Sequence, residues 1–469
     1  MREGQTSRLV KNSIILAFGQ FLPKIMALIT LPILTAALST EEYGIYDLLL
    51  TAEGILMPLM TLQIQQGVFR KLLQQQSKKS KIIASAYKML AVLFAIWFPV
   101  ICTFLRIFTR WDYRTILIIG LFYIGYCAFD VISQTVRGIG GNIKYSAGIV
   151  LYSLMNTIAI LICFFFKTIE IKTVVLASLI SYTIATIFYF VSCNAIKEIN
   201  FKVFDSLILK ELLKYSIPII PGTVSLWVVN LSDRLLVSFF LGTGMNGIYS
   251  IANKIPGLFA SVYSVFNLAW TETASRVMDT GNAPDKYYSS MFDVMYRFLS
   301  GAMLLLISLS PFLFKVLINE QYDSALRQMP ILFLGVFFNC VVSFYGSIYI
   351  AKQRTREVGL SSFVGAALNL VINFALINKL GLYAASISTV LSYILIALYR
   401  AVDLKKHVTI SYNCKSIILC TVFMGMFSLI VSFNDILINM ALVIVAVIFN
   451  ITVNKNVVVY IIDEIKKRL

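Results

Sequence analysis

The chain has 469 residues, of which 59% are hydrophobic and only 13% are charged, whereas soluble globular domains carry roughly 25% charged residues. Its mean hydropathy is +0.83, and its formal net charge is +17. This composition excludes an ordinary soluble domain. The reason for the excess positive charge has to be found in where the basic residues lie along the chain.

Apolar segments long enough to cross a bilayer, which takes about 20 residues, recur along the whole sequence with short polar breaks between them. They predict an all-α, polytopic membrane protein with about 14 transmembrane helices. The predicted helices cover residues 12–37, 45–69, 83–105, 115–136, 145–166, 173–195, 212–240, 247–275, 289–316, 327–350, 358–378, 380–401, 416–433 and 437–454.

The basic residues are distributed unequally between the two sides of the predicted membrane. Loops assigned to the inside, with Arg400 counted among them, carry 29 Lys and Arg residues, and loops assigned to the outside carry 8. This asymmetry follows the positive-inside rule. It predicts an inner-membrane protein with both termini in the cytoplasm, and it assigns the positive charge to topology rather than to nucleic-acid binding.

Weak internal similarity predicts two lobes of six helices each. Gly44-Ile45-Tyr46 returns as Gly247-Ile248-Tyr249, and Ser181-Tyr182 returns as Ser392-Tyr393. Parallel repeats of this kind occur in transporters whose substrate passes between two lobes. The predicted division is an N-terminal lobe at 1–196, an amphipathic cytoplasmic connector at 197–211, a second lobe at 212–402, and two further helices with an amphipathic cytoplasmic tail at 403–469.

Three basic residues lie inside apolar segments instead of loops: Lys24, Arg234 and Lys254. A charge at mid-membrane costs at least about 2.5–3.5 kcal/mol, so a binding role or a snorkelling side chain has to offset it. Asn230 precedes Arg234 by one helical turn and extends a polar stripe on that helix. These four residues are the candidate substrate-binding positions.

Acidic residues also fall within the predicted helices, notably Glu53, Asp130 and Asp233. Carboxylates in a membrane mark proton or cation sites, or they form structural ion pairs between helices, such as Glu53 with Lys24. Asp233 and Arg234 are adjacent, so they point about 100° apart on a helix and each needs a partner elsewhere. The three carboxylates are the candidate sites for a coupling ion, Na⁺ or H⁺.

Catalytic constellations are missing from the sequence. It contains one histidine, His407, and seven scattered cysteines without a Cys-x-x-Cys pair, so we expect no metal site, no cofactor other than a coupling ion, and no enzymatic activity. The loops are also too short for a soluble catalytic domain.

Several segments resemble polysaccharide (Wzx-type) flippases, which belong to a superfamily (the multidrug/oligosaccharidyl-lipid/polysaccharide, or MOP, exporters) that also contains the multidrug and toxin extrusion (MATE) exporters and the lipid II flippases. The segments that carry the resemblance are 40–46, 215–218, 231–234, 241–242 and 247–250.

This resemblance implies alternating access between two lobes, with an undecaprenyl-diphosphate-linked oligosaccharide as substrate for surface polysaccharide such as O-antigen or capsule. It also implies membrane lipids, a polysaccharide polymerase and chain-length machinery as partners, and the bacterial cytoplasmic membrane as the location. Buried cations would suit an anionic diphosphate. The alternatives are a cation-coupled multidrug exporter of the same fold, a sugar-repeat polymerase and an envelope scaffold.

Overall fold

The computed structural model describes residues 2–74, 78–193, 203–280 and 284–455; it gives no description of the side chains of 2–18, 225–226, 228–231 and 279–280. Every regular element in these ranges is helical. The helices are α1 Arg2–Ala37, α2 Thr40–Thr61, α3 Ile64–Gln74, α4 Lys79–Phe108, α5 Tyr113–Gly138, α6 Asn142–Phe165, α7 Ile171–Ser192, α8 Ser206–Ser216, α9 Ile220–Leu241, α10 Thr243–Thr280, α11 Pro284–Leu317, α12 Met329–Ala351, α13 Thr355–Leu380, α14 Leu382–Leu404, α15 Cys414–Val431 and α16 Ile436–Val453.

The all-α membrane fold predicted from the sequence is confirmed, because each of the 14 predicted segments coincides with a helix or a helix pair. In the described part of the chain, 11 helices are long and apolar enough to cross a membrane, and the number is 12 when the bent pair α2 and α3 is taken as one span.

The second predicted helix, 45–69, is broken where the sequence suggested one continuous segment. Leu62 and Gln63 have positive φ angles of 49° and 55°, and α2 and α3 are bent by 63° at this point. The Thr61 hydroxyl donates to the Met57 carbonyl and accepts from the Gln63 amide. This local hydrogen bonding compensates for the backbone hydrogen bonds that the helix loses at the break. The sequence gives no sign of the break, because hydropathy does not report backbone angles and neither Leu62 nor Gln63 is a glycine.

The structure divides the predicted connector at 197–211 and the predicted helix at 212–240 differently, because the short helix α8 covers the end of the connector and the first residues of that helix. Residues 197–202 lie outside the described residues. Asp205 caps α8 by accepting from the Leu207 and Ile208 amides, and a 3₁₀ turn at Ile217–Ile219 separates α8 from α9. Pro218 stands in this turn, where its missing amide hydrogen disturbs no helix interior.

The chain divides into two compact units, Met1–Ser232 and Asp233–Leu469, which we call unit 1 and unit 2. In unit 1, α1 packs on α6, α6 on α7, α7 on α5, and α5 on α3 and α4. Gly148 makes the α6–α7 approach close, since a Cβ there would lie 2.1 Å from the Tyr189 ring. The short helix α8 packs on α3 and α4.

Unit 2 is built around α12. Here α10 packs on α12, α12 on α14, α14 on α13, and α11 on α12. The two C-terminal helices, α15 and α16, pack mainly on α11, where the Asn450 amide donates to the Gly301 carbonyl. The lobe boundaries predicted at 196 and 212 remain a prediction, and the predicted tail beyond 455 lies outside the described residues.

Candidate functional site

Unit 2 contains a polar cluster centred on the carboxylate of Asp233, in the middle of α9. Asn373 Nδ2 on α13 donates to Asp233 Oδ1 at 2.8 Å, Thr389 Oγ1 on α14 lies 2.9 Å from Oδ2, and the Tyr249 hydroxyl on α10 lies 3.3 Å from Oδ2. Asn369, one turn before Asn373, donates to Thr389 at 3.1 Å. Four helices therefore converge on one carboxylate, each through a residue of unit 2.

Two oxygens of this cluster are buried without a hydrogen-bond donor among the described residues: Oδ1 of Asn369 and Oδ1 of Asn373. Asn373 is fully buried and Asn369 is 9% exposed. A buried amide oxygen without a donor is unfavourable by about 1–3 kcal/mol. A cation beside the carboxylate would relieve this cost, because carboxylate and carbonyl oxygens are the ligands that hard cations prefer.

The Thr389 hydroxyl points to the same chemistry. It has one hydrogen but two acceptors at 2.9 Å, Asp233 Oδ2 and the Ala385 carbonyl. If it donates to Ala385, its lone pairs face the carboxylate, and a cation or proton beside them would make this arrangement more favourable. The cluster can thus hold a positive charge with four oxygen-bearing side chains, those of Asp233, Asn369, Asn373 and Thr389.

Glu53, the candidate in α2, lies in an aromatic cluster of unit 1. The Tyr182 hydroxyl on α7 donates to Glu53 Oε1 at 3.3 Å. The Tyr182 ring stacks on Tyr152 with centroids 4.2 Å apart and planes 3° apart, and it contacts Tyr126 at 5.6 Å. Within the described residues the carboxylate is therefore held by a phenol rather than by the cation of an ion pair.

Asp130 lies one turn after Tyr126 on α5, so both candidate carboxylates of unit 1 adjoin the same aromatic cluster. The Ser133 hydroxyl donates to the Asp130 backbone carbonyl, and no salt bridge among the described residues includes Asp130. A carboxyl group in such surroundings can take up a proton or a cation.

The basic candidates belong to different units. Lys24 lies on α1 in unit 1, where its side chain is exposed on the isolated molecule, while Arg234 and Lys254 are half-buried in unit 2. Arg234 follows Asp233 directly on α9. The side chain of Asn230 lies outside the described ones. A cavity shared by the three basic residues remains a prediction.

Arg400 is a buried cation that sequence analysis counted as a loop residue. It lies within α14, is 2% exposed, and donates to Ser361 Oγ, Ser362 Oγ and the carbonyls of Val342 and Val358. Its position at the end of an apolar segment made it look like a loop charge. The structure gives it the role of joining α12, α13 and α14.

Sequence reasoning found Asp233 but missed its partners on the other helices. Asn369 and Asn373 stand four residues apart, a spacing that places two amides on one face of a helix. That pattern, inside an apolar segment, was the available signal.

Helices of membrane-spanning length, with polar clusters buried between them, define the class of protein as a helical, multi-pass membrane protein. A lipid II flippase, MurJ in an inward closed conformation, has a TM-score of 0.71 at 14% identity, over 95% of this chain and all of that one. An inward-facing MATE-family multidrug resistance transporter of the MOP superfamily has a TM-score of 0.67 at 11% identity, over 84% of this chain and 98% of that one.

The chain belongs to the polysaccharide biosynthesis protein family, whose model matches residues 9–278. Two uncharacterized membrane proteins of Methanocaldococcus jannaschii are also similar. MJ1068 is 23% identical over 49% of this chain and 45% of its own length. MJ1375 is 24% identical over 85% of this chain and 99% of its own length.

Proposed function

We propose that this protein is a flippase that moves undecaprenyl-diphosphate-linked oligosaccharide repeat units from the inner to the outer leaflet of the bacterial cytoplasmic membrane. Transport proceeds by alternating access and supplies the synthesis of a surface polysaccharide such as O-antigen or capsule. Both termini stand in the cytoplasm. The partners are the lipid-linked substrate, membrane lipids, and polysaccharide polymerase and chain-length machinery.

The observation that carries the proposal is the presence of three basic residues within the helices of a polysaccharide biosynthesis family member. Lys24, Arg234 and Lys254 each stand within a helix, and basic residues inside membrane-spanning helices mark the pathways of substrates. A diphosphate offers strong acceptors for ammonium and guanidinium groups. Asn230 adds a hydrogen-bonding group to the face of Arg234, and we assign it to the sugar.

The cluster around Asp233 supports coupling of this transport to a cation, Na⁺ or H⁺. The ion would be held by the side-chain oxygens of Asp233, Asn369, Asn373 and Thr389. Its positive charge would balance the carboxylate and give the two buried amide oxygens an electrostatic partner. Glu53 and Asp130 are the corresponding ion-binding candidates of unit 1. Because the carboxylate is shared by helices α9, α10, α13 and α14, its occupancy would bias how these helices pack.

A cation-coupled multidrug exporter is the second candidate, favoured by the fold shared with the MATE-family transporter and by the carboxylates of unit 1. An exporter of organic cations needs acidic groups and aromatic rings in its cavity. The two candidates therefore differ in which charges matter: the basic residues for the flippase, and Glu53 and Asp130 for the exporter.

The test is depletion of the protein in its native host, followed by complementation with Lys24→Gln, Arg234→Gln or Lys254→Gln. Depletion should make lipid-linked oligosaccharide accumulate on the inner leaflet, and each variant should restore surface glycan poorly because a diphosphate contact is lost. The matched control is Lys315→Gln, which removes an exposed lysine at the end of α11 and should complement fully.

Membrane levels and gel filtration of each variant separate loss of transport from loss of folding. An unchanged lipid-linked pool with persisting surface glycan would refute the proposal. Full complementation by the three basic variants, together with drug sensitivity in Glu53→Gln or Asp130→Asn, would assign the protein to the exporter class instead.

A further inference from the structure

A second region with unassigned chemistry lies at the junction of α4 and α8 in unit 1. Two open grooves meet there, with volumes of about 540 and 440 Å³, and Leu209 of α8 lines both. Lys210 and Lys214 line the first groove, and Lys88 with Phe204 lines the second. The walls are otherwise almost entirely apolar. Apolar walls with basic rims match an amphiphile that has an anionic head.

The helix α8 is held in place, so these grooves are a fixed feature of unit 1. Its inner residues Ile208 and Leu212 are buried against α3 and α4, and Asp205 caps its first turn. The Lys71 ammonium pairs with Glu211, and Lys81 stands 3.6 Å from Asp205. Both nearby carboxylates are thus engaged by lysines other than those of the grooves.

Lys88, Lys210 and Lys214 are exposed, and no carboxylate of the described residues lies within salt-bridge distance of them. Lys88 is held 5.2 Å above the Phe204 ring. Their positive charge therefore faces the surroundings uncompensated by the carboxylates among the described residues of unit 1. An anion from outside the protein is the complementary ligand.

Lys88 also stands at the end of a helical stripe that faces lipid. Val92, Ile96 and Val100 follow it at intervals of four residues on α4 and are 61%, 54% and 48% exposed, so they share one face with it. This face belongs to a 30-residue apolar span. The second groove consequently continues from an ammonium group into the hydrocarbon layer.

We propose that this junction is a binding site for an anionic phospholipid of the leaflet that the positive-inside bias assigns to the cytoplasm. The phosphate contacts Lys88 and Lys210, with Lys214 adding positive charge beside them, and an acyl chain lies along Met89, Val92 and Leu93. Basic pockets beside transmembrane helices on this side of a membrane bind anionic head groups. Lysines that only snorkel would give lipid binding that does not depend on the length of the acyl chains.

The test is a titration of the purified full-length protein in detergent with dioleoyl phosphatidylglycerol, followed by native mass spectrometry. The wild type should bind phosphatidylglycerol in preference to dioleoyl phosphatidylcholine. Lys88→Gln/Lys210→Gln should raise the Kd for phosphatidylglycerol about 30-fold, which is two lysines at about 1 kcal/mol each. Dihexanoyl phosphatidylglycerol should bind at least about tenfold more weakly because its chains are too short for the groove.

The matched control is Lys405→Gln/Lys415→Gln, which removes two exposed lysines of unit 2 with the same change in net charge and should leave the Kd unchanged. Equal binding of both lipids, an unchanged Kd in the groove variant, or an equal loss in the control would overturn the proposal. The proposal would also be overturned by a protein-sized adduct that is present in the wild type and absent in the groove variant, because such an adduct would show that the surface binds an acidic protein. None of these readouts depends on transport.

Discussion

At the scale of single residues, Asp233 concentrates donors from three other helices on one carboxylate. Tyr249, Asn373 and Thr389 all reach it within 3.3 Å, yet two amide oxygens of the same cluster lack donors in the described structure. A site with two buried amide oxygens that accept from no described donor is suited to a cation. The carboxylate therefore has a chemistry that can be tested without measuring transport.

Sodium should stabilise the protein through Asp233. We expect the melting temperature in detergent to rise by about 2–5 °C when choline chloride is replaced by sodium chloride at equal ionic strength, because a ligand of the native state stabilises it by mass action. Asp233→Asn should abolish the rise and Thr389→Val should weaken it. Asp323→Asn, which removes an exposed carboxylate of unit 2, should keep it, and a full rise in Asp233→Asn would exclude the site.

The cap of α8 should depend on pH in one direction. Hydrogen bonds from the backbone amides of Ile208 and Leu207 hold the pKa of Asp205 below its usual value, so the cap stabilises α8 at pH values above the ordinary Asp range and is lost as the pH falls through the lowered pKa. Hydrogen exchange of residues 206–216 should therefore be faster in Asp205→Ala than in the wild type at neutral pH. Asp205→Asn keeps a capping oxygen, and equally fast exchange in this variant would contradict the assignment.

At the scale of elements, close helix contacts through glycine hold unit 1 together. A Cβ on Gly148 would come 2.1 Å from the Tyr189 ring, and the Tyr189 hydroxyl donates to the Tyr145 carbonyl at 2.7 Å. The ring is rigid and pinned at its far end, so neither side can yield cheaply. Only glycine allows α6 and α7 to pack at this distance.

Replacing two glycines by alanine should therefore have opposite effects. Gly148→Ala should lower the free energy of unfolding by about 1–3 kcal/mol, since it overpacks a fixed contact. Gly425→Ala in α15 has no neighbouring atom within 4 Å of the new Cβ and should raise it by up to about 1 kcal/mol through helix propensity. Chemical unfolding in detergent measures both, and equal signs for the two variants would contradict the packing argument.

At the scale of the whole molecule, orientation rests on the distribution of basic loop residues. Cys414 stands at the start of α15 next to Lys415, in a loop assigned to the cytoplasm, and it is the exposed member of seven free cysteines. The thiolate is the reactive form and needs access to solvent. This residue is a native probe for the side on which the loop lies.

A membrane-impermeant maleimide should label Cys414 in inverted membrane vesicles and not in right-side-out ones. Arg110→Cys in a Cys414→Ser background should show the reverse, because residue 110 lies in a loop assigned to the outside. Labelling of Cys414 from the outside would reverse the predicted topology and, with it, the leaflet assigned to the α4–α8 lipid site.

The sequence by itself determined the membrane class and the location of all 14 helical segments, because hydrocarbon thickness fixes the length of an apolar span. It also placed Asp233 among three candidate carboxylates with Glu53 and Asp130, since an acidic residue is conspicuous in an apolar segment. Only the tertiary structure decided that Asn369, Asn373 and Thr389 surround this carboxylate, that α2 breaks after Thr61, and that Arg400 is a buried cation. The partners of Asp233 and the burial of Arg400 depend on contacts between helices far apart in the chain, and hydropathy within one segment carries no record of its neighbours. The break after Thr61 depends on the backbone angles of Leu62 and Gln63, which hydropathy does not record either.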